Sequence, residues 1–161
     1  PETVAFNLNE KYCREICLAL EQLSANYQIV ITMPNADTAG MVFRLAFEQL
    51  GKQYTNIKVI ENFGTQSYFT CMKYSKLMIG NTSSGIVEAA TFRKYVLNLG
   101  DRQKGRLAGE NVIHLPFDST EIVEKARAYS QKKFEGANLY YKPNPSTSIL
   151  KILKETYANF S

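Results

Sequence analysis

The sequence predicts an α/β fold, a doubly wound parallel sheet with helices on both faces. Two observations carry that reading. Five short apolar runs lack the in-out alternation of a half-exposed antiparallel strand, and amphipathic helical patterns separate most of them. Size agrees: 161 residues, 45% of them apolar, suit one domain that buries a core without staples.

Taken in order, Cys13, Ile16, Cys17, Leu20 and Leu23 recur at helical spacing while Lys11, Arg14, Glu15, Glu21 and Gln22 fill the other face. A first helix is therefore expected over about residues 8 to 25. Gln28 to Thr32 reads as a buried strand and Pro34 to Thr38 as a turn. Val42, Leu45, Ala46 and Leu50 mark a second helix, stopped at Gly51. Ile57 to Ile60 is the next strand, and a helix near Gln66 to Ser75 leads into the short run Leu77 to Ile79. From Gly80 the chain passes through Asn81-Thr82-Ser83-Ser84-Gly85 into a helix that buries Ile86, Ala89 and Ala90. Tyr95 to Leu99 and Val112 to Leu115 are the last strands, joined by a polar loop with three cations. Asp118 or Ser119 can cap a helix bearing Ile122, Val123, Ala126 and Tyr129, and Pro145-Ser146 opens a final one with Ile149, Ile152, Leu153 and Tyr157.

Bulk composition excludes more than it suggests. A formal charge of +4, with acidic and basic residues interspersed, is too weak to argue for nucleic acid. No apolar stretch reaches the roughly 20 residues that span a bilayer, so no membrane partner is expected. Three cysteines, none in a C-x-x-C pair, suggest neither a disulfide framework nor a zinc site and fit a reducing, cytoplasmic home. Cys13 and Cys17 read as core packing. The chain opens at Pro1 and runs almost at once into a helical pattern, and so reads as an excised piece.

In a doubly wound sheet, ligands lie beyond the carboxyl ends of the strands. The loops of interest are therefore Met33 to Ala39, Glu61 to Thr65, Gly80 to Gly85 and Gly100 to Gly109. Asn81 to Gly85 offers backbone N–H groups, small residues and the hydroxyls of Thr82, Ser83 and Ser84 at a helix start, which suits a diphosphate. The plainer alternative is that Thr82 or Ser83 only caps the helix. Glu88, one turn on, can accept from two ribose hydroxyls or simply be solvated. Arg102, Lys104 and Arg106 stand one β-α unit later, where guanidinium groups suit bidentate phosphate contacts; alone they would be solvated loop charges. His114, the one histidine, sits in an apolar run and reads as a structural or partly buried imidazole. Asp37 and Asp101 have turn or ion-pair readings. No catalytic triad, nucleophile elbow or H-E-x-x-H helix is present, and no catalytic or metal-ligating set is assigned.

The runs I-G-N-T-S-S-G-I-V-E-A-A-T-F (Ile79 to Phe92), L-N-L-G-D-R-Q-K-G-R (Leu97 to Arg106), G-E-N-V-I (Gly109 to Ile113) and M-P-N-A-D-T-A-G (Met33 to Gly40) resemble the hydrolysing UDP-N-acetylglucosamine 2-epimerases of bacterial sialic acid and capsule pathways. The ending N-L-Y-Y-K-P-N-P-S-T-S-I-L-K-I-L is similar to theirs. The resemblance implies the C-terminal, UDP-binding, Rossmann-like half of a two-domain glycosyltransferase B fold. By that resemblance Asn35, the backbone around Phe63, Thr82, Ser83, Glu88 and Arg102 would hold UDP, with Ser84 and Gly85 completing the loop. The family commonly has Ser where this chain has Thr82, and both supply a hydroxyl. The implied reaction is loss of UDP by elimination across C1 and C2, then water addition to the glycal to give N-acetylmannosamine. It needs no cofactor, neither metal nor nicotinamide. The family's acid and base residues belong to an N-terminal domain that would be this piece's own partner, in a homo-oligomeric full-length protein; the fragment alone would be inactive. Three other readings stand beside this one. They are a sister epimerase acting on UDP-2,4-diacetamido-2,4,6-trideoxyglucose on the route to legionaminic acid, a UDP-sugar glycosyltransferase of the same architecture, and a non-enzymatic doubly wound binding module.

Overall fold

The computed structural model describes residues 6–34 and 38–158. Helix α1 (Asn9–Ser24) turns its Cys13, Ile16, Ala19, Leu20 and Leu23 side inward, as the spacing required. It is followed by β1 (Ile29–Thr32), α2 (Thr38–Gln53), β2 (Ile57–Ile60), α3 (Gly64–Tyr74), β3 (Met78–Gly80), α4 (Ser83–Val87), β4 (Val96–Leu99), β5 (Val112–Leu115), α5 (Ser119–Tyr129) and α6 (Pro145–Ala158). A 3-10 turn, Ala89–Phe92, extends α4. Helix α2 runs two residues past the Gly51 stop that the sequence suggested. Gly51 is instead a contact point: a Cβ there would lie 2.8 Å from Val59 Cγ2, so glycine lets α2 lie close on β2.

Every strand pair is parallel. β4 is buried at all four residues, with Leu97 and Leu99 in a core shared with α1, α2 and α5, and Val96 on the opposite face with Met72 of α3 and Ala89. Successive side chains thus enter two cores, one per face, which is the doubly wound arrangement read from the unbroken apolar runs. The chain has the mixed α/β, Rossmann-like fold expected. One feature differs from a single continuous sheet. The ladders divide into β1-β2 and β3-β4-β5. β3 contributes only Met78, Ile79 and Gly80 to its ladder, a short edge to offer β1.

The later segments are tied down by side-chain bonds. Asp118 is the cap of α5, its Oδ1 accepting from Glu121 N at 2.9 Å, and Glu15 of α1 accepts from Ser119 N at 2.9 Å, so two of the orphan amides of that helix start are satisfied. Asn138 donates to the Val87 carbonyl and to Thr91 Oγ1, anchoring the C-terminal stretch beside α4. Beyond it, α6 is exposed along its described length, including Ile149, Ile152 and Leu153. The apolar stripe read from the sequence exists, and the described residues do not cover it.

Candidate functional site

A cavity of about 1110 Å³ separates β1 from β3, with Ile29 to Thr32 on one wall and Leu77 to Gly80 on the other. At the carboxyl ends of the strands its rim gathers Met33 and Pro34 after β1, Phe63 after β2, Asn81, Thr82 and Ser83 after β3, and Arg102, Gln103 and Arg106 after β4. Four loops that the sequence placed around a ligand therefore meet at one mouth, because parallel strands put all their carboxyl ends on one edge.

The loops are fastened to one another. Arg44 of α2 donates through Nη1 to the Pro34 carbonyl at 2.9 Å and through Nη2 to both carboxylate oxygens of Glu61 at 2.7 Å, joining the loops after β1 and β2. Asn62 Oδ1 accepts from Gly64 N at 2.8 Å and shapes the chain around Phe63. Gln103 Nε2 donates to the Asn81 carbonyl at 2.7 Å, joining the loops after β3 and β4. Neither Arg44 nor Gln103 was singled out from sequence. Arg44 is a lone cation in the apolar helical run Met41 to Phe47 and Gln103 a neutral residue among loop charges, and nothing in a linear pattern shows which other loops their side chains reach.

The expected site residues divide. Phe63, Thr82, Ser83 and Arg102 line the cavity, and Arg106 joins them. Ser84 and Gly85 do not. Gly85 is buried, and a Cβ there would stand 2.9 Å from Val96 Cγ1, so this glycine serves the close approach of α4 to β4. Ser84 N donates to Thr82 Oγ1 at 3.4 Å, a long cap bond, so the plainer capping role of Thr82 is also present. Helix α4 is only five residues before the 3-10 turn, which leaves its macrodipole smaller than a full helix would have and shifts the weight to hydroxyls and cations. Glu88 does not line the cavity; it is the C-terminal cap of α4, its Oε2 enclosed without a hydrogen-bond partner among the described residues. Asn35 and Asp37 lie outside the described residues.

Lys104 does not line the cavity. It sits 3.6 Å from Asp101, so that aspartate pairs with the lysine three residues on. His114 is exposed, not partly buried as its apolar run suggested; it lies on β5, at the edge of the β3-β4-β5 sheet, beside the buried Asn98, and its Nδ1 lies 3.1 Å from Asn98 Nδ2. Cys13 is buried in the first core and Cys17 packs against it, both as free thiols. The hydrogen bond with the Cys13 sulfur, and after it burial, push the Cys17 thiol well up, which disfavours thiolate chemistry there. Among the described residues no three His, Cys, Asp or Glu side chains converge as a metal set, and no helix is long and apolar enough to cross a membrane.

Residues 5–154 match the sequence pattern of the family described as UDP-N-acetylglucosamine 2-epimerase. The chain belongs to that family. Among its curated relatives, the polysialic acid biosynthesis protein P7 of Escherichia coli is 28% identical over 96% of this chain and 41% of its own length. The UDP-N,N'-diacetylbacillosamine 2-epimerase (hydrolyzing) of Legionella pneumophila is 32% identical over 82% of this chain and 35% of its own. The UDP-N-acetylglucosamine 2-epimerase of Neisseria meningitidis is 28% identical over 92% of this chain and 38% of its own. The chain thus spans about two fifths or less of the length of these relatives.

Proposed function

We propose that this chain is the UDP-binding domain of a hydrolysing UDP-N-acetylglucosamine 2-epimerase that releases UDP and N-acetylmannosamine. The observation that carries the reading is the strand-end mouth where Arg102 and Arg106 stand with Thr82 and Ser83 around one cavity. As the sugar C1–O bond breaks, negative charge grows on the departing diphosphate. Guanidinium groups and hydroxyls held in place beforehand stabilise it without reorganising. Phe63 and its loop would border the uracil and Ser84 would complete the diphosphate loop, with Asn35 approaching from the loop after β1. Glu88 would take the ribose hydroxyls once its side chain turns into the cavity, which would satisfy its orphaned oxygen. Gly85 has no contact to make with ligand in this scheme; it keeps α4 close enough to β4 for the others to meet.

The acid and base would come from a further domain in a longer, homo-oligomeric cytoplasmic protein. The uncovered apolar stripe of α6 supports a packing partner outside the described residues. A second reading, a UDP-N,N'-diacetylbacillosamine 2-epimerase, is favoured by the Legionella relative, since a UDP half alone would serve either sugar. Titration of UDP into this chain tests the shared part of both readings. Binding is expected, with Arg102→Ala losing on the order of 2 kcal/mol, about thirtyfold, for a charged hydrogen bond. Equal affinity in both proteins would remove Arg102 from the site. On the longer protein, release of N-acetylmannosamine from UDP-N-acetylglucosamine separates the first reading from the second, in which only the diacetamido sugar nucleotide turns over.

A further inference from the structure

Gln103 is 5% exposed, an unusual state for an amide in a loop between two arginines. Its Nε2 donates to the Asn81 carbonyl at 2.7 Å, and its Oε1 is buried without a partner among the described residues. The reversed amide would set two acceptors against each other, so the orientation follows from the Asn81 carbonyl. A buried acceptor with nothing to accept is costly, and it marks a place where a donor is still to arrive. A diphosphate in its ionised form carries no donor, so it cannot be the partner itself. Donors that line the same cavity include the Thr82 and Ser83 hydroxyls and two guanidinium groups, and a guanidinium brings the most N–H groups. Arg106 N donates to the Gln103 carbonyl at 3.2 Å, so one turn holds both residues at the rim of the cavity.

We propose that Gln103 is a positioning residue for the diphosphate, its Oε1 receiving the Arg106 guanidinium when the diphosphate binds while its Nε2 clamps the basic loop to the loop after β3. A guanidinium has five donors, so Arg106 can serve Oε1 and a phosphate oxygen together. The clamp keeps Thr82 and Ser83 at a fixed separation from both arginines. This inference rests on the UDP-binding reading of the site and adds to it a coupling between one neutral and one charged residue.

A double-mutant cycle on pyrophosphate and UDP affinity tests it, with uridine as control, using Gln103→Met, Arg106→Ala and the pair. Each single variant is expected to weaken pyrophosphate and UDP about tenfold and to leave uridine unchanged. The pair should be weakened by clearly less than the product of the two single losses, because the interaction between the two residues is removed only once. Losses that multiply to about a hundredfold in the pair would overturn the coupling, as would single-variant losses that extend equally to uridine. Should Gln103→Met fail to fold, Gln103→Leu enters the same cycle with the same expected outcomes. Unaltered protein that binds neither UDP nor pyrophosphate would instead sink the underlying UDP reading, which keeps the two failures distinguishable.

Discussion

Replacing Glu88 by Gln should move stability and affinity in opposite directions. The Glu88 Oε2 is enclosed without a hydrogen-bond partner among the described residues. An unsatisfied buried acceptor costs about 1 to 3 kcal/mol, more when charged, and an amide in its place carries less of that desolvation cost. A gain of about 1 kcal/mol is expected, which for a domain of this size raises the melting temperature by about 2 to 4 °C. In the complex the same carboxylate would accept from ribose hydroxyls, and losing charge-assisted bonds of that kind costs about 1.5 to 3 kcal/mol, or ten- to over a hundredfold in Kd. Differential scanning fluorimetry without ligand and calorimetric titration with UDP and 2′,3′-dideoxy-UDP read both effects. The variant should melt higher, bind UDP more weakly, and bind the two nucleotides with nearly equal affinity. A variant that melts several degrees lower would show that Glu88 is a structural cap. One that still prefers UDP over the dideoxy form by the wild-type factor would remove it from the ribose.

Two further changes test the scaffold. Gly85→Ala places a methyl 2.9 Å from Val96 Cγ1 across the α4–β4 contact and should destabilise by about 1 to 2 kcal/mol in urea unfolding, the overpacking cost less the helix-propensity gain; an unchanged midpoint would mean that α4 can shift freely. Glu15 is held below its ordinary value of 4.5 first by the Ser119 backbone N–H and then by the Ser119 hydroxyl. Its contribution is therefore complete above about pH 4.5 and is lost as pH falls through the lowered folded value. Glu15→Gln should cost at most about 1 kcal/mol at pH 7, given its solvent screening, and should flatten the decline in stability between pH 5 and 3; parallel pH profiles for the two proteins would contradict the assignment.

The order of strands and helices was legible in the linear pattern because each element must bury one face, and burial writes its period into the chain. The apolar residues of α1 and the four-residue runs of β4 and β5 are examples, and the cap of α5 by Asp118 follows from local chemistry alone. The positions of the site loops followed as well, since parallel strands deliver their carboxyl ends to one edge. The tertiary structure decided which side chains in those loops face the cavity. Gly85, read as part of the anion loop, answers to Val96 across a contact eleven residues away in sequence, and Gln103, unremarked between cations, is buried by the Asn81 carbonyl of another loop. Periodicity reports which face of a regular element is apolar. It carries no information about how an irregular loop is folded over its neighbour, or that the Glu88 Oε2 would be enclosed, because those outcomes depend on long-range packing and hydrogen-bond partners that the local sequence does not contain.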